Sequence, residues 1–188
     1  MKKETIYEIF SSIPTLRTER LTLRALRELD AEDMFEYARD PEVTRFLLWR
    51  EHKSLAFTKE YLAYIESRYA LGDFYDWAIT LSDSGKMIGT CGFTKIDTIN
   101  NSAEIGYVLN PAYHHMGIAA EAAGEVMRFG FETLSLHRIE ARFIEGNEAS
   151  RALMERLGMT AEGFERDAVF VKGRYSTVGK YARLASDK

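Results

Sequence analysis

Residues 103–121 read AEIGYVLNPAYHHMGIAAE. Ala103 to Leu109 alternates its side chains on a β-rich composition, as a strand does. Asn110-Pro111 ends that strand, because proline cannot donate to a ladder and biases its neighbour away from helix. Beyond the turn, Ala119, Ala122, Ala123, Val126, Met127, Gly130, Phe131 and Leu134 recur at helical spacing, with Glu121, Glu125, Arg128 and Glu132 on the outer side. A long amphipathic helix is predicted there. The join, Tyr113 to Ala120, carries a glycine and small residues where the free N–H groups of a helix N-terminus point outward, a geometry that suits phosphate.

Downstream, Arg138 to Glu145 (RIEARFIE) alternates as a strand. A strand–helix–strand unit around Leu109 and Arg138 makes those two strands parallel. Gly146-Asn147 closes the second, and Glu148 to Leu157 reads as a short helix with Ala149, Ala152, Leu153 and Leu157 inward. Met159 to Phe164 and Ser176 to Leu184, with a Lys172-Gly173-Arg174 turn before the latter, form a last pair of strands. Upstream, Phe74 to Leu81 and Lys86 to Ile96 flank a turn at Ser82 to Gly85. Ser54 caps a helix with Phe57, Tyr61, Ile65 and Tyr69 at i+4 spacing, closed by Gly72. Leu21 to Leu26 is a first strand. Asp30 is an N-cap with Leu29 as its staple, for a helix that runs to Ala38 and stops before Asp40-Pro41. Glu42 to Leu48 is a short helical or irregular piece. Glu4 to Phe10 is an amphipathic arm of a kind often poorly ordered. The fold class is α/β with one mixed, mostly antiparallel sheet: an arm over residues 1–13, then a single domain over 14–188.

The chain has 188 residues and a net charge of −4, which suits one globular domain and argues against non-specific nucleic-acid binding. Cys91 is the only cysteine, so no intrachain disulfide forms, and a buried structural thiol is expected. No apolar run reaches about 18 residues, and MKKETIYEIF lacks the apolar core of a signal peptide. A cytoplasmic protein is expected. His52, His137 and Cys91 show no ligand spacing, so no metal site is expected.

The order of elements, with RTERLTLRAL, AEIGYVL, LHRIEARFIEGNEASRALMERLGM and the EGF turn region, resembles the GNAT superfamily of acetyl-CoA-dependent N-acetyltransferases. Within it the RimJ/RimL-like branch is the nearest in pattern, over about Pro14 to Leu184. The family's phosphate loop is Q/R-x-x-G-x-G/A. Here His114-His115-Met116-Gly117-Ile118-Ala119 keeps Gly117 and Ala119, with His114 at the Gln/Arg position and His115 where many members carry another glycine. The resemblance implies that backbone N–H groups of His115, Met116, Gly117, Ile118, Ala119 and Ala120 hold the pyrophosphate of coenzyme A. It implies pantetheine in a splay between two parallel strands, with an unpaired N–H near Val108 or Leu109 polarising the thioester. Asn147 would bond the pantetheine arm or nearby backbone while also capping the following helix, and Ser150 would hydrogen-bond the departing thiolate or be first-turn polar filler. Many members have tyrosine where this chain has Met154. Glu104 is the candidate general base, since the acceptor is an ammonium that must lose a proton; a structural glutamate is the alternative. Glu145 and Asp167 are the other candidate bases, or acceptors for the substrate ammonium, and Arg151 reads as a solvated helix-face arginine sooner than as a phosphate ligand. Trp49, Tyr75, Trp77, Phe93, Tyr107, Phe143 and Phe170 line an acceptor cleft or belong to the core. The implied activity is acetyl transfer from acetyl-CoA to a primary amine by direct attack. The acceptor is a protein N-terminal amine or a small-molecule amine, and a non-catalytic acyl-CoA-binding module is the alternative. Neither nucleic acid nor membrane is an expected partner, and a homodimer rests on fold analogy.

Overall fold

The computed structural model describes residues 3–187; Met1, Lys2 and Lys188, at the ends of the expected arm and domain, lie outside the described residues. From the N-terminus, α1 (Lys3–Phe10) and β1 (Leu16–Arg17) precede β2 (Leu21–Arg24), α2 (Ala31–Ala38), α3 (Pro41–Thr44) and α4 (Leu55–Ala70). A meander follows, of β3 (Tyr75–Leu81), β4 (Met87–Asp97) and β5 (Ser102–Leu109). Then come α5 (Ile118–Glu132), β6 (Arg138–Ile144), α6 (Glu148–Arg156), β7 (Thr160–Val171) and β8 (Arg174–Leu184).

The strands form one sheet in the order β1-β2-β3-β4-β5-β6-β8-β7. Every neighbouring pair is antiparallel except β5 and β6, the two joined by α5. On one face α1 and α5 bury Phe10, Val126 and Met127 with Leu23, Trp77, Ile79, Ile105 and Ile139. On the other, α2 and α4 bury Tyr37, Leu62 and Ile65 with Ala78 and Met87. Alternation along each strand supplies both cores.

The parallel pairing is short. It runs from Ser102↔Arg138 to Ile105↔Ala141. Past that point β5 stays on β4 as far as Gly89↔Leu109, while β6 stays on β8 as far as Ile144↔Val178. The two strands therefore part, as the resemblance implied.

Several local expectations are corrected. Asp30 makes no capping hydrogen bond. Its carboxylate takes a bidentate pair from Arg24 (2.6 and 2.8 Å) and the Arg27 N–H (2.9 Å), because a buried carboxylate is better served by a guanidinium. Leu29 is 92% exposed and staples nothing. In α4, Ser54 does cap, accepting from the Phe57 N–H at 3.1 Å. Phe57 itself is exposed, and Thr58 and Leu62 are buried instead. At 3.6 residues per turn an i+4 row drifts about 40° a step, so its far end leaves the core. In α6, Ala149 and Ala152 are exposed and Met154 is buried. β7 continues beyond Phe164 to Val171 through irregular register, with Asp167 at φ +50°. The two-residue β1 carries no pattern a sequence could show. Nor is α1 loosely attached: the Phe10 ring is fully buried against Tyr75, Trp77 and Phe129.

Candidate acetyl-CoA and acceptor cleft

Where β5 and β6 part, a cleft of about 840 Å³ opens through the molecule, walled by α3 and the chain after it, β4, β5, the start of α5 and α6. Its mouth is the loop before α5. Asn110 is buried and fixes that loop: its N–H donates to Ile88 O (2.8 Å), its Nδ2 to Glu36 Oε1 (3.0 Å), and its Oδ1 accepts from the Ala112 N–H (3.0 Å). His114 Nε2 donates to Leu109 O at 3.1 Å, so that ring nitrogen carries the proton. His115 (φ +62°) and Gly117 (φ +77°) both turn the chain through the left-handed region. Gly117 is the N-cap residue of α5, and no side chain caps that helix. Its first N–H groups are left for a ligand.

A coenzyme pyrophosphate fits this end. α5 is 15 residues long, its dipole and uncapped N–H groups favour an anion, and a Cβ at Gly117 would stand 3.6 Å from Arg20 Nη2 and 3.9 Å from Arg156 Nη2. Two guanidinium groups therefore flank the glycine. Glu121 holds Arg20 (2.6–2.7 Å), and Arg20 Nη1 donates to Met116 O at 3.0 Å. Burial alone would raise the Glu121 carboxyl, but bonds from Thr18 and Arg20 outweigh it and lower its pKa. His115, Gly117, Ile118, Ala119 and Ala120 line the cleft; Met116 does not, and its side chain faces solvent. Arg151 takes the solvated helix-face place: it pairs with Glu148 (2.9 Å) and Glu155 on its own helix, while Arg156 lines the cleft.

In the slot, the Asn110–Ile88 bond and the regular register from Leu109 to Ile105 set the alternation of the β4–β5 ladder. The Val108 N–H belongs to that ladder, so of the two candidates Leu109 has the N–H turned toward the parted side. Across the slot, Asn147 caps α6, its Oδ1 accepting from the Ser150 N–H at 3.3 Å. The Ser150 hydroxyl lies 2.9 Å from the Tyr107 hydroxyl. Burial first pushes that phenol up to about 12, so it stays protonated.

Glu104 lines the acceptor side, half-buried, its Oε1 3.2 Å from Thr94 Oγ1. Glu145 and Asp167 lie outside the lining. Trp49, Tyr75, Phe93, Tyr107 and Phe143 line the cleft, Trp77 is core, and Phe170 is exposed elsewhere. Sequence reasoning missed Asp76, which sits in no quoted motif, and also Arg20 and Arg156, which lie within the stretches that carry the resemblance but at positions to which it gave no role. Cys91 is buried, and burial pushes its thiol well above the usual range. Among the described residues no group of three or more His, Cys, Asp or Glu side chains could hold a metal, and no helix is long and apolar enough to cross a membrane.

Residues 20–160 match the family model described as an acetyltransferase (GNAT) domain. The chain is 35% identical over 170 residues to the N-acetyltransferase p20 of Bacillus licheniformis, covering 90% of this chain and 96% of that protein. It is 25% identical over 174 residues to the ribosomal protein uS5-alanine N-acetyltransferase of Escherichia coli strain K12, with 88% and 89% covered. The crystal structure of a GNAT-family acetyltransferase from Bacillus anthracis superposes with a TM-score of 0.81 at 27% identity, over 92% of this chain and 99% of that one. With its uncapped helix opening onto a parted pair of parallel strands, the chain belongs to the GNAT acetyltransferase family.

Proposed function

We propose that this N-acetyltransferase passes the acetyl group of acetyl-CoA directly to a primary amine held in the same cleft, and that the amine is a protein N-terminus. The observation that carries the reading is the meeting of an uncapped α5 N-terminus with the gap between β5 and β6. Acetyl-CoA brings an activated thioester; this chain's residues bind, orient and move protons.

The N–H groups at the start of α5, with Arg156 beside them, hold the pyrophosphate. The Leu109 N–H, turned into the slot, faces the thioester oxygen as a fixed donor. Asn147 shapes the slot by capping α6. Glu104 takes the proton of the acceptor ammonium. Ser150, in contact with Tyr107, donates a hydrogen bond to the sulfur as it leaves as a thiolate; a thiol of pKa near 8–9 needs that help only modestly. Cys91 is buried and its thiol held protonated, so it offers no covalent relay. Much of the rate then comes from holding both reactants in one slot. The choice of a protein N-terminus is supported by the uS5-specific relative and by the apolar outer lip, where Leu48 is exposed and Trp49 partly so.

Calorimetric titration with acetyl-CoA, beside the Gly117→Glu variant, tests the reading. Wild type is expected to bind, and the variant to lose binding, because the new carboxylate meets the phosphate and a side chain is strained at φ +77°. A folded wild type that binds no acetyl-CoA overturns the reading. Binding without thiol release against N-terminal peptides of ribosomal proteins, or against small amines, would make the protein a coenzyme-binding module.

A further inference from the structure

The acceptor side of the cleft holds a carboxylate in an unusual setting. Asp76 on β3 is followed across the sheet by Gly92 on β4 and Gly106 on β5, in register. All three line the cleft. Between Asp76 and the parted edge of β5 this register row therefore carries no side chain of its own, with the Thr94 methyl beside Gly106 at its rim. A Cβ at Gly92 would stand 2.3 Å from Tyr75 O and 2.7 Å from Asp76 Oδ1, so the carboxylate leans over that glycine. A Cβ at Gly106 would stand 2.7 Å from Thr94 Cγ2. With strands about 4.8 Å apart, a group bonded to Asp76 above Gly92 lies about one strand from Gly106, where β5 leaves β6.

The neighbours of Asp76 are neutral. Its Oδ1 accepts the Trp77 N–H at 3.1 Å, and the Thr90 hydroxyl bonds the carboxylate from β4. Tyr61 and Tyr69 of α4, Tyr37 of α2 and the Cys91 thiol of β4 face it, all kept protonated by burial. Among the described residues no lysine, arginine or histidine contributes to its titration. A carboxylate in an open cleft, without an internal cation, suits a cationic ligand.

We propose that Asp76 binds the ammonium of the acceptor and sets it over the Gly92–Gly106 floor, within reach of Glu104. The inference rests on the acetyltransferase reading and adds to it the residue that selects a charged amine. Burial pushes Asp76 up to about 7, so its hold on an ammonium weakens as the pH falls below that value.

Asp76→Asn tests it, since the amide keeps an oxygen for the Trp77 N–H. The probe is n-butylammonium, titrated into wild type and variant with coenzyme A present and absent, with carboxyl carbon NMR as readout and butan-1-ol as the uncharged control. The amine is expected to move the Asp76 resonance, and the variant to bind it about tenfold more weakly, the worth of one charge-assisted hydrogen bond. Coenzyme A affinity is expected to stay within about twofold. An unmoved Asp76 resonance, equal binding by the variant, equal binding of butan-1-ol, or a matching loss of coenzyme A affinity overturns the proposal. With an accepted peptide, Asp76→Asn should raise KM about tenfold and leave kcat nearly unchanged, whereas Glu104→Gln should lower kcat, more below pH 8 than at pH 9–10. An Asp76→Asn effect confined to kcat overturns it too. Should wild type bind no acetyl-CoA, the acetyltransferase reading fails separately, and the butylammonium titration still judges Asp76.

Discussion

The Tyr107 hydroxyl comes from a strand and the Ser150 hydroxyl from a helix, yet they meet at 2.9 Å in the slot. With Met154 fully buried, the phenol beside the slot is supplied by β5 instead of α6. Asp76 shows how a site residue can work against stability. Its pKa in the folded protein is about 7, against the usual 3.9 or so. Between those values the native state keeps a proton that the unfolded chain has released, so stability falls as the pH rises from about 4 to 7 and stays lower above. Asp76→Asn removes that penalty. The variant is expected to melt roughly ten degrees above wild type at pH 8 and level with it at pH 4, since keeping that proton across about three pH units is worth up to about 4 kcal/mol and each kcal/mol roughly 2–4 °C at this size. Thermal melts followed by circular dichroism check this; an equal difference at both pH values would show that charge is not the cause.

At the scale of elements, the loop between β5 and α5 is fixed less by glycine than by Asn110. Its side chain ties the strand end to Glu36 on α2, and Glu36 in turn holds Lys86 at 2.8 Å. The Lys86 and Asn110 bonds together lower the Glu36 pKa. Asn110→Ala leaves the Ala112 N–H without its acceptor and frees the loop. A loss of about 1–3 kcal/mol in urea denaturation is expected, together with weaker acetyl-CoA binding by calorimetry. Unchanged affinity would mean that the α5 N-terminus alone sets the site. Asn147 repeats the device at α6, where the cap of a helix is also a wall of the slot.

For the molecule as a whole, the sheet separates two cores, and the cleft exists because the sheet parts between them. The first core depends on α1. Phe10 packs edge-on against Tyr75 at 4.8 Å, Trp77 at 5.7 Å and Phe129 at 6.3 Å. Phe10→Ala should cost about 3–5 kcal/mol in urea or guanidinium unfolding. A cost under about 1 kcal/mol would mean that α1 is dispensable to the fold.

The sequence by itself determined β5, the start and face of α5, β6 and their parallel crossover, and with them the phosphate end of the site. Those signals are local: a period of two, a period of 3.6, a proline and a glycine act within a few residues of where they stand. Asn147 was legible for the same reason, as a cap before a helical stripe. Only the tertiary structure decided that Tyr107 reaches Ser150, that Arg20 closes on Met116, and that Asp76 faces two glycines in line. Each of these depends on register between segments distant in sequence. Periodicity tells which face a side chain takes; it does not tell what stands beside it on the next strand. The Asp30 cap that does not form marks the same limit, since its competing partner Arg24 comes from a neighbouring strand.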